Sequence, residues 1–429
     1  MASKVIIQSV KGTREFYPEQ MAQRNFIYEK ARQAAQTFGY QEWDAPFIES
    51  IDLYAAKSGE ELVKKQSFVF EDRGGDLVAL RPELTPSLAR MIAQKQGELA
   101  FPLRWWSFGP FWRYENVQKG RTREFFQWNV DMLGVNSPEA DAELIGVAAA
   151  FLRIVGFNPQ QATIFVNNRR LMDAQFDALG IAPEKRLDVS NMVDRRSKME
   201  PAKWDAYVLE NGISQDQLDG LKQVLGNYDL WQSSEELTRL FAALDALGVK
   251  DYVKFDPNIM RGLLYYTGTV FECFDLTGSV RRALLGGGRY DNLLRDVGGD
   301  PLSGVGFAMG DVVIGILLQE KGLIPPFTPT PAPVLVTVFD ESLWMNSYAL
   351  AAELRAAGLN VTTYPEPAKL PKQFKFGDRM GMKVALVIGP DEAAAGKVTV
   401  KNLGSGTQET IARAEVAKTI SKILESTVG

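Results

Sequence analysis

The chain has 429 residues and a formal net charge of −5, and 45% of its residues are hydrophobic while 24% are charged. At roughly 100 to 200 residues per domain, this length predicts two or three globular domains. The sequence contains no histidine and one cysteine, which excludes an intrachain disulfide, the usual zinc sites and every nucleophile activated by an imidazole. Chemistry in this chain must therefore rest on arginine, carboxylates, tyrosine or a hard metal ion, and Cys273 is expected in the core.

Neither the N-terminus nor any apolar run resembles a targeting or membrane segment. The first residues lack a basic stretch followed by an apolar one, and the apolar run at 144–157 is interrupted by Arg153. We therefore expect a cytoplasmic protein with no membrane segment.

The first half of the chain combines one helix with strands. Pro18 and Gly39 bound a pattern of apolar residues with helical spacing. Strand patterns separated by turn residues follow at 43–50, 67–83, 103–115 and 122–134. From approximately 175 to 250 the pattern is helical and charged, which predicts an inserted helical module.

Strand patterns return after this module, at 253–258 and 265–275. The glycine-rich residues 284–294 predict a turn, and residues 303–320 predict a strand followed by a long helix.

A proline-rich segment divides the chain. Residues 324–333 contain five prolines and no charge, which indicates a stiff linker between a core domain, 1–323, and a C-terminal domain, 334–429. Strand and helix patterns alternate in the C-terminal domain. This alternation predicts a small α/β domain with a partly parallel sheet.

The chemically informative residues are concentrated between 105 and 133. As paired strands, residues 111–115 and 123–132 form one polar and one apolar face. The polar face comprises Phe111, Arg113, Glu115, Arg123, Phe125, Gln127, Asn129 and Asp131. A solvated hairpin face is one interpretation. A binding site is the other, because guanidinium groups match phosphate oxygens and a flat side chain beside a hydrogen-bonding group suits an adenine.

Several segments resemble one enzyme family in the correct order. Residues 111–134 resemble motif 2 of class II aminoacyl-tRNA synthetases, in the form seen in histidyl-tRNA synthetases. Residues 261–272 ("RGLLYYTGTVFE") and 286–293 ("GGGRYDNL") resemble the two histidine-specific motifs of that family. Further matching segments are "GTREFYPEQ", "LRPELTPSLAR" and, near the C-terminus, "KQFKFGDRMG", "ALVIGPDE" and "VTVKNL".

The resemblance implies an α/β (α+β) protein with an antiparallel-sheet catalytic core, a helical insertion and a C-terminal α/β anticodon-binding domain. It implies an ATP-dependent ligase that activates L-histidine as histidyl-adenylate and transfers it to tRNA(His). Mg²⁺ is expected to bridge the phosphates, and no protein ligand for the metal is identified. Because the carboxylate of the substrate is itself the nucleophile, this chemistry needs no histidine in the chain.

The resemblance also implies roles for individual residues in the ATP site. Arg113 and Arg261 would grip the α-phosphate and the histidine carboxylate, and Arg121 would bind the outer phosphates. Glu115 would accept a hydrogen bond from the adenine amino group, and Phe125 would stack on the adenine ring.

A second set of residues is implied for the amino acid. Glu83, Thr85 and Gln127 would hold the α-ammonium group, and Asp131, Tyr266 and Tyr290 would form the imidazole pocket. Tyr265 is counted with them, and a core position is the alternative for it.

Some positions depart from the family pattern. Leu264 stands where the first histidine-specific motif carries an aspartate, and Val313 stands where motif 3 carries an arginine. Since that arginine is implied to contact the adenine and the γ-phosphate, either Arg121 and another cation suffice or ATP binds more weakly. Asn116 and Val117 replace a basic residue and a proline in the loop implied to meet the tRNA end.

The resemblance extends to partners. Lys372, Lys375 and Arg379 would share one stripe of a helix that Pro371 begins and Gly381 ends. A solvated helix face explains this stripe as well as a contact with the anticodon stem, and the resemblance favours the contact. Residues 43–50 resemble motif 1, which implies a homodimer.

Two other functions are compatible with parts of the pattern. A histidine-binding regulatory paralogue would lack the C-terminal domain and the motif 2 arginines, and both are present. A catalytically weak or silent paralogue that senses histidine or tRNA is the alternative that remains, because the motif 3 arginine is absent.

Overall fold

The structure, a computed structural model, describes residues 6–55, 66–261, 265–278, 280, 282–292 and 294–425. These residues form two compact units with separate sheets. The first unit contains described residues up to Phe16 and from Gln23 to Ile324, and the second contains 17–22 and 325–425. The assignment of catalytic and anticodon-binding roles to particular ranges of the chain stays a prediction.

The first unit is built on two sheets, and most of its strand pairings are antiparallel. Its strands are β1 (Gln41–Glu42), β2 (Ile48–Ser50), β3 (Phe68–Glu71), β4 (Leu77–Leu80), β5 (Leu103–Trp112), β6 (Glu124–Leu133), β7 (Ala162–Asn168), β8 (Val253–Phe255), β9 (Thr269–Asp275), β10 (Leu285–Tyr290) and β11 (Gly304–Gly310). The large sheet has the order β1-β5-β6-β11-β10-β9-β7-β8, and the small sheet has the order β2-β4-β3. Only β1 with β5 and β7 with β8 pair in parallel among the described strands of this unit.

Helices pack on both faces of the large sheet. They are α1 (Pro18–Thr37), α2 (Ile51–Ala55), α3 (Thr85–Lys95), α4 (Pro138–Ile154), α5 (Arg169–Ala178), α6 (Arg186–Arg196), α7 (Pro201–Glu210), α8 (Gln215–Leu225), α9 (Glu235–Ala246) and α10 (Asp311–Glu320). The main core joins buried residues of α1, α4, α9 and α10 to Trp106, Trp128 and Cys273 of the sheet. Helices α5 to α8 enclose a second apolar cluster around Trp204. On the other face of the large sheet, α3 packs against Leu103, Leu133, Tyr266 and Tyr290 in a third apolar cluster.

The glycine-rich segment is a strand and not the predicted turn. Gly286, Gly287 and Gly288 lie in the middle of β10, between β9 and β11. A Cβ atom at Gly287 would lie 2.6 Å from the Cβ of Phe307 and would overlap the carbonyl oxygen of Gly306. Close approach of neighbouring strands, and not turn geometry, explains the glycine.

The second unit contains a five-stranded sheet whose first part is parallel. Its elements are β12 (Val334–Val336), α11 (Trp344–Ala356), β13 (Val361–Thr363), α12 (Leu370–Arg379), β14 (Val384–Val387), α13 (Pro390–Ala395), β15 (Lys397–Asn402), β16 (Gln408–Ala412) and α14 (Val416–Glu425). The strand order is β13-β12-β14-β15-β16, and the pairs of β12 with β13 and β14 are parallel. The predicted fold class, an antiparallel-rich core followed by an α/β unit, is confirmed.

Within the described part of the chain, every helix falls short of the length and apolar character needed to cross a membrane.

The position of Gly287 gives a test of the sheet. Gly287→Ala should lower the free energy of unfolding by about 1 to 3 kcal/mol, because the added methyl group overpacks two neighbouring strands. Urea unfolding of the full chain measures this change. Gly97→Ala is the matched control, since a Cβ at Gly97 would meet no atom within 4 Å. Equal stability of the two variants would contradict the described packing.

Candidate functional site

A pocket of about 1730 Å³ opens in the first unit, beside the ends of β5, β9 and β11. Its lining brings together five of the residues selected from the sequence. These are Arg113, Glu115, Arg121, Phe125 and Arg261. Residues far apart in the chain therefore converge on one cavity with several positive charges.

Arg113 directly follows β5. The strand was predicted to continue through Glu115, but it ends at Trp112, and Arg113 and Glu115 belong to the connection that follows. The Nε of Arg113 donates to the carbonyl oxygen of Pro82 at 2.8 Å, and its guanidinium carbon lies 5.4 Å from the Phe125 ring centre. Burial lowers the pKa of Arg113. Its guanidinium is thus partly desolvated and is held at the pocket by its neighbours, a setting in which an anionic ligand interacts more strongly than in water.

The polar face of β6 is enclosed. Asn129 and Asp131 are 7% and 8% exposed, and Trp128 and Val130 on the opposite face are fully buried. A solvated hairpin face, the alternative raised by the sequence, is therefore wrong for this end of the strand. Buried polar side chains need partners, and Asp131 has one in the hydroxyl of Tyr290.

Arg121 and Glu115 form an ion pair across the loop that connects β5 and β6. Gly120 precedes Arg121 with φ = +79°, a conformation that favours glycine. The pKa of Arg121 is lowered by burial and, after that, by the positive charges of Arg282 and Arg113. The two residues expected at opposite parts of a nucleotide are therefore close to each other in this structure.

Arg261 has an unusual backbone. Its φ of +43° is the only positive value among the described non-glycine residues. Such conformations cost of order 1–3 kcal/mol and cluster at functional sites. Its carbonyl oxygen accepts a hydrogen bond from Arg169, which fixes the segment.

The side chain of Arg261 is also unusual. Its Nη1 is buried without a hydrogen-bond partner among the described residues. A Cβ at Gly286 would overlap this nitrogen, so the strand supplies glycine where the guanidinium passes. Its Nε lies 3.7 Å from Glu272, which leaves donors free for an anion at the pocket.

Aromatic side chains surround Asp131 next to this pocket. The hydroxyl of Tyr290 donates to Oδ1 of Asp131, and burial raises the pKa of Asp131 to about 7. The ring of Tyr265 lies 4.6 Å from that of Tyr266 and 6.4 Å from that of Tyr290, centre to centre. The guanidinium carbon of Arg261 lies 5.5 Å from the Tyr266 ring centre, which links this cluster to the pocket.

The remaining predicted residues are distributed more widely. Glu83 acts electrostatically on Arg113 and Tyr265. Thr85 begins α3, and Gln127 lies in β6 opposite Gly310 of β11.

The predicted tRNA-binding residues belong to the second unit. Lys372, Lys375 and Arg379 are exposed on α12, which has Pro371 in its first turn and is followed by Gly381 at φ = +69°. The helix prediction is confirmed, and its function stays a prediction. Leu264, the other departure noted in the sequence, lies outside the described residues.

Asp311, Val312 and Val313 occupy the position of motif 3, and the structure explains the first of them. Asp311 is buried at the start of α10, where its carboxylate pairs with Arg14 at 2.9 Å and accepts from the backbone N–H of Phe126 at 2.8 Å. It therefore joins the N-terminal segment, β6 and α10. Val312 and Val313 line the pocket with apolar side chains.

Sequence reasoning missed two cations. Arg14 was overlooked because its partner lies almost 300 residues away in the chain. Arg282 lines the pocket, and its only signal in the sequence is its place in a pair of arginines shortly before the glycine-rich strand.

The described residues contain no cluster of three or more acidic or cysteine side chains that could hold a metal ion. Mg²⁺ often keeps several waters and is bound through substrate phosphates together with one or two carboxylates. The pocket fits this mode, because the carboxylate of Glu272 is part of its lining.

The buried carboxyl of Asp131 predicts a pH effect on stability. Its pKa is raised from 3.8 to about 7, first by burial. As pH rises from about 4 to about 7, the unfolded state releases this proton while the folded state retains it, so the parent loses stability. Asp131→Asn removes the effect. The stability of the variant relative to the parent should therefore rise over this range by up to about 4 kcal/mol, since one pKa unit is about 1.4 kcal/mol.

Urea unfolding of both proteins at several pH values measures this difference. A constant difference between the two proteins from pH 4 to pH 7 would show that Asp131 is not a desolvated carboxyl.

Comparison with known proteins gives the family. Residues 12–311 match the family model described as Histidyl-tRNA synthetase, and residues 333–423 match that of an anticodon binding domain. A histidine–tRNA ligase from Leptospira biflexa is 35% identical over 434 residues, covering 98% of this chain and 99% of that protein. One from Opitutus terrae is 37% identical over 425 residues, covering 95% and 97%. The crystal structure of histidyl-tRNA synthetase from Nostoc sp. matches with a TM-score of 0.84 at 27% identity, covering 98% of this chain and all of that one. The chain therefore belongs to the histidyl-tRNA synthetase family.

Proposed function

We propose that this protein is a histidine–tRNA ligase that uses ATP to form histidyl-adenylate and then transfers histidine to tRNA(His). The observation that carries the proposal is the convergence of Arg113, Arg121 and Arg261 on one pocket. A buried carboxyl in an aromatic cluster adjoins it through the contact of Arg261 with Tyr266. Cations suit a nucleoside triphosphate, and an enclosed carboxylate suits an imidazole N–H.

The nucleotide would lie along the hairpin of β5 and β6. Phe125 offers its ring to the adenine, and Glu115 offers a carboxylate to the adenine amino group. Since Glu115 pairs with Arg121 in the structure, ATP binding would separate the pair. Arg121 would then turn to the outer phosphates.

Histidine would occupy the cluster around Asp131. Ionised Asp131 would accept a hydrogen bond from an imidazole N–H, with Tyr290 fixing the position of its carboxylate. Glu83, Thr85 and Gln127 would hold the α-ammonium group. Tyr265 and Tyr266 would close the pocket with their rings, which favours a flat side chain over an aliphatic one.

In the first reaction, a carboxylate oxygen of histidine attacks the α-phosphorus of ATP, and pyrophosphate leaves. Arg113 and Arg261 would neutralise the charge that develops on the non-bridging oxygens, which is where fixed donors lower a barrier most. In the second reaction, a ribose hydroxyl of the tRNA end attacks the carbonyl carbon, and AMP leaves.

Mg²⁺, when bound, would supply charge neutralisation to the phosphates, with Glu272 as a carboxylate available to it in the pocket lining.

The second unit would bind the tRNA. Lys372, Lys375 and Arg379 are exposed on α12, where they can reach the phosphates of an anticodon stem. We assign residues 1–323, with the helical insertion at approximately 175–250, to catalysis, residues 324–333 to the linker and residues 334–429 to anticodon binding.

A homodimer is part of the proposal. Large apolar side chains are exposed on and beside the small sheet, at Phe47, Ile48, Phe70 and Leu77. Exposed apolar groups concentrated in one region are typical of a contact surface. We also propose that the protein works in the cytoplasm, where its tRNA substrate would be found.

The silent paralogue is not favoured. Curated histidine–tRNA ligases match this chain over nearly their full length. Arg113 and Arg121 of motif 2 line the pocket.

An aminoacylation assay tests both the proposed function and the roles proposed for the two units. The full chain with ATP, Mg²⁺ and labelled histidine should charge tRNA(His), and other amino acids should give no product. A fragment ending at residue 324 should still form histidyl-adenylate, because every residue assigned to that step precedes the linker, but it should lose most of its charging. Equal charging by fragment and full chain would remove the anticodon role from the second unit.

Arg261 is the residue whose loss should affect chemistry most directly. By analogy with removal of one transition-state donor, Arg261→Ala should slow adenylate formation by roughly 10² to 10³-fold. Arg261→Lys should recover part of the rate, because it supplies a point charge in place of a planar fork. Single-turnover adenylate formation measures both variants.

The competing explanation is that Arg261 only pairs with Glu272. In that case Arg261→Ala would lower the melting temperature and leave the rate per folded molecule intact, and thermal unfolding recorded beside the kinetics distinguishes the two.

A further inference from the structure

Arg282 lines the same pocket as Arg113, Arg121 and Phe125. It lies in the loop between β9 and β10, two residues before Leu284, whose N–H donates to the carbonyl oxygen of Cys273 at 2.8 Å. No carboxylate among the described residues forms an ion pair with it, and its side chain is half-buried. An arginine in this setting is a free cation at a cavity.

The neighbours of Arg282 identify its part of the pocket. A Cβ placed on Gly120 would lie 3.8 Å from Cδ of Arg282 and 3.4 Å from Cγ2 of Val313. Arg282 and Val313 therefore both meet the loop that carries Arg121. The positive charge of Arg282 also contributes, after burial, to the lowered pKa of Arg121.

The beginning of the loop is held in place. Asp275 accepts hydrogen bonds from the N–H and the hydroxyl of Thr277, at 3.0 and 2.5 Å, and from the N–H of Val280 at 3.3 Å. Lys321 adds a bond to the Thr277 hydroxyl at 2.8 Å. These contacts fix the loop where it leaves β9, and the pairing of β10 fixes it where Arg282 approaches the sheet.

Arg121 and Arg282 both line the pocket, and the charge of Arg282 acts on Arg121. Arg121 has Glu115 as a partner, but Glu115 is the group we assign to the adenine, and Arg282 has no such partner among the described residues. Two guanidinium groups around one loop can both bind the oxygens of a polyphosphate, which carries several negative charges. Val313, at the position where the family pattern has its arginine, offers only methyl groups.

We propose that Arg282 binds the outer phosphates of ATP and supplies, from the loop between β9 and β10, the positive charge that Val313 cannot supply. This inference rests on the proposed function. It answers the alternative left by the sequence, in which another cation compensates for the missing arginine.

Comparing the binding of ATP and of AMP to the full chain distinguishes a contact of Arg282 with the outer phosphates from a general effect on the pocket. Arg282→Ala should weaken ATP binding by roughly 10 to 100-fold, as expected for loss of a charge-assisted hydrogen bond. AMP binding, which involves no outer phosphate, should stay as tight as in the parent. Arg282→Lys should bind ATP with an intermediate affinity. Calorimetry with Mg²⁺ present measures both nucleotides.

Lys119→Ala is the matched control. Lys119 is a cation of the same loop as Arg121, but it is exposed and pairs with Glu320 at 3.2 Å. The Lys119→Ala protein should bind ATP as tightly as the parent does, which excludes an effect of net charge alone.

Two results would overturn the inference. The first is that the Arg282→Ala protein binds ATP as tightly as the Lys119→Ala protein does. If its affinity for tRNA alone fell, Arg282 would contact the nucleic acid and not ATP. The second is an equal loss for ATP and AMP, which would mean that Arg282 supports the pocket as a whole. Failure of the proposed function is distinguishable, because the parent itself would then show no histidine-dependent reaction with ATP.

Discussion

The desolvated positive charge of Arg261 is the interaction on which the rest of the site depends. Its backbone is held at φ = +43°, its carbonyl is bonded to Arg169, and one of its nitrogens is buried beside Gly286 without a partner among the described residues. A partly desolvated charge of this kind lowers the stability of the folded protein. The same surroundings strengthen its attraction to an anion, because their polarity is low. The backbone conformation and the nitrogen without a partner are the two observations behind the proposal that this part of the chain binds a negatively charged ligand.

Glycines let the large sheet accommodate buried side chains and closely spaced strands. Glycines at 286, 287, 288 and 306 occur where a side chain would overlap Arg261, a neighbouring strand, Tyr266 or Asp131. Glycine in the centre of a sheet lowers stability, because it has no side chain to pack and loses more conformational freedom on folding. The opposite face of the same strands carries the apolar core with Trp128 and Phe307. The main apolar core thus lies on one face of the sheet, and the other face carries Asp131, Tyr266 and Tyr290 together with apolar residues of α3.

The sequence predicted the fold class, the helix at Leu370–Arg379 and the grouping of Arg113, Arg121, Phe125 and Arg261, which line one pocket, because each leaves a local pattern or a motif. It mistook the glycines of β10 for a turn, since glycine marks both turns and close strand contacts, and only the pairing with β11 decides between them. It ended β5 too late because alternation continues past Trp112. It could not find Arg282 or the pair of Arg14 with Asp311, since those depend on contacts between segments that are distant in the chain. The roles of the individual site residues stay predictions.

The absence of histidine from a chain of this family agrees with the proposed chemistry, in which the substrate carboxylate is the nucleophile and arginine charge stabilises the reacting phosphate. The most direct test is isotope exchange between pyrophosphate and ATP, catalysed by the purified full chain with and without L-histidine. The account predicts exchange that requires histidine and Mg²⁺ and is not supported by other amino acids. A folded protein that binds histidine but catalyses no exchange would contradict it and would favour a sensor.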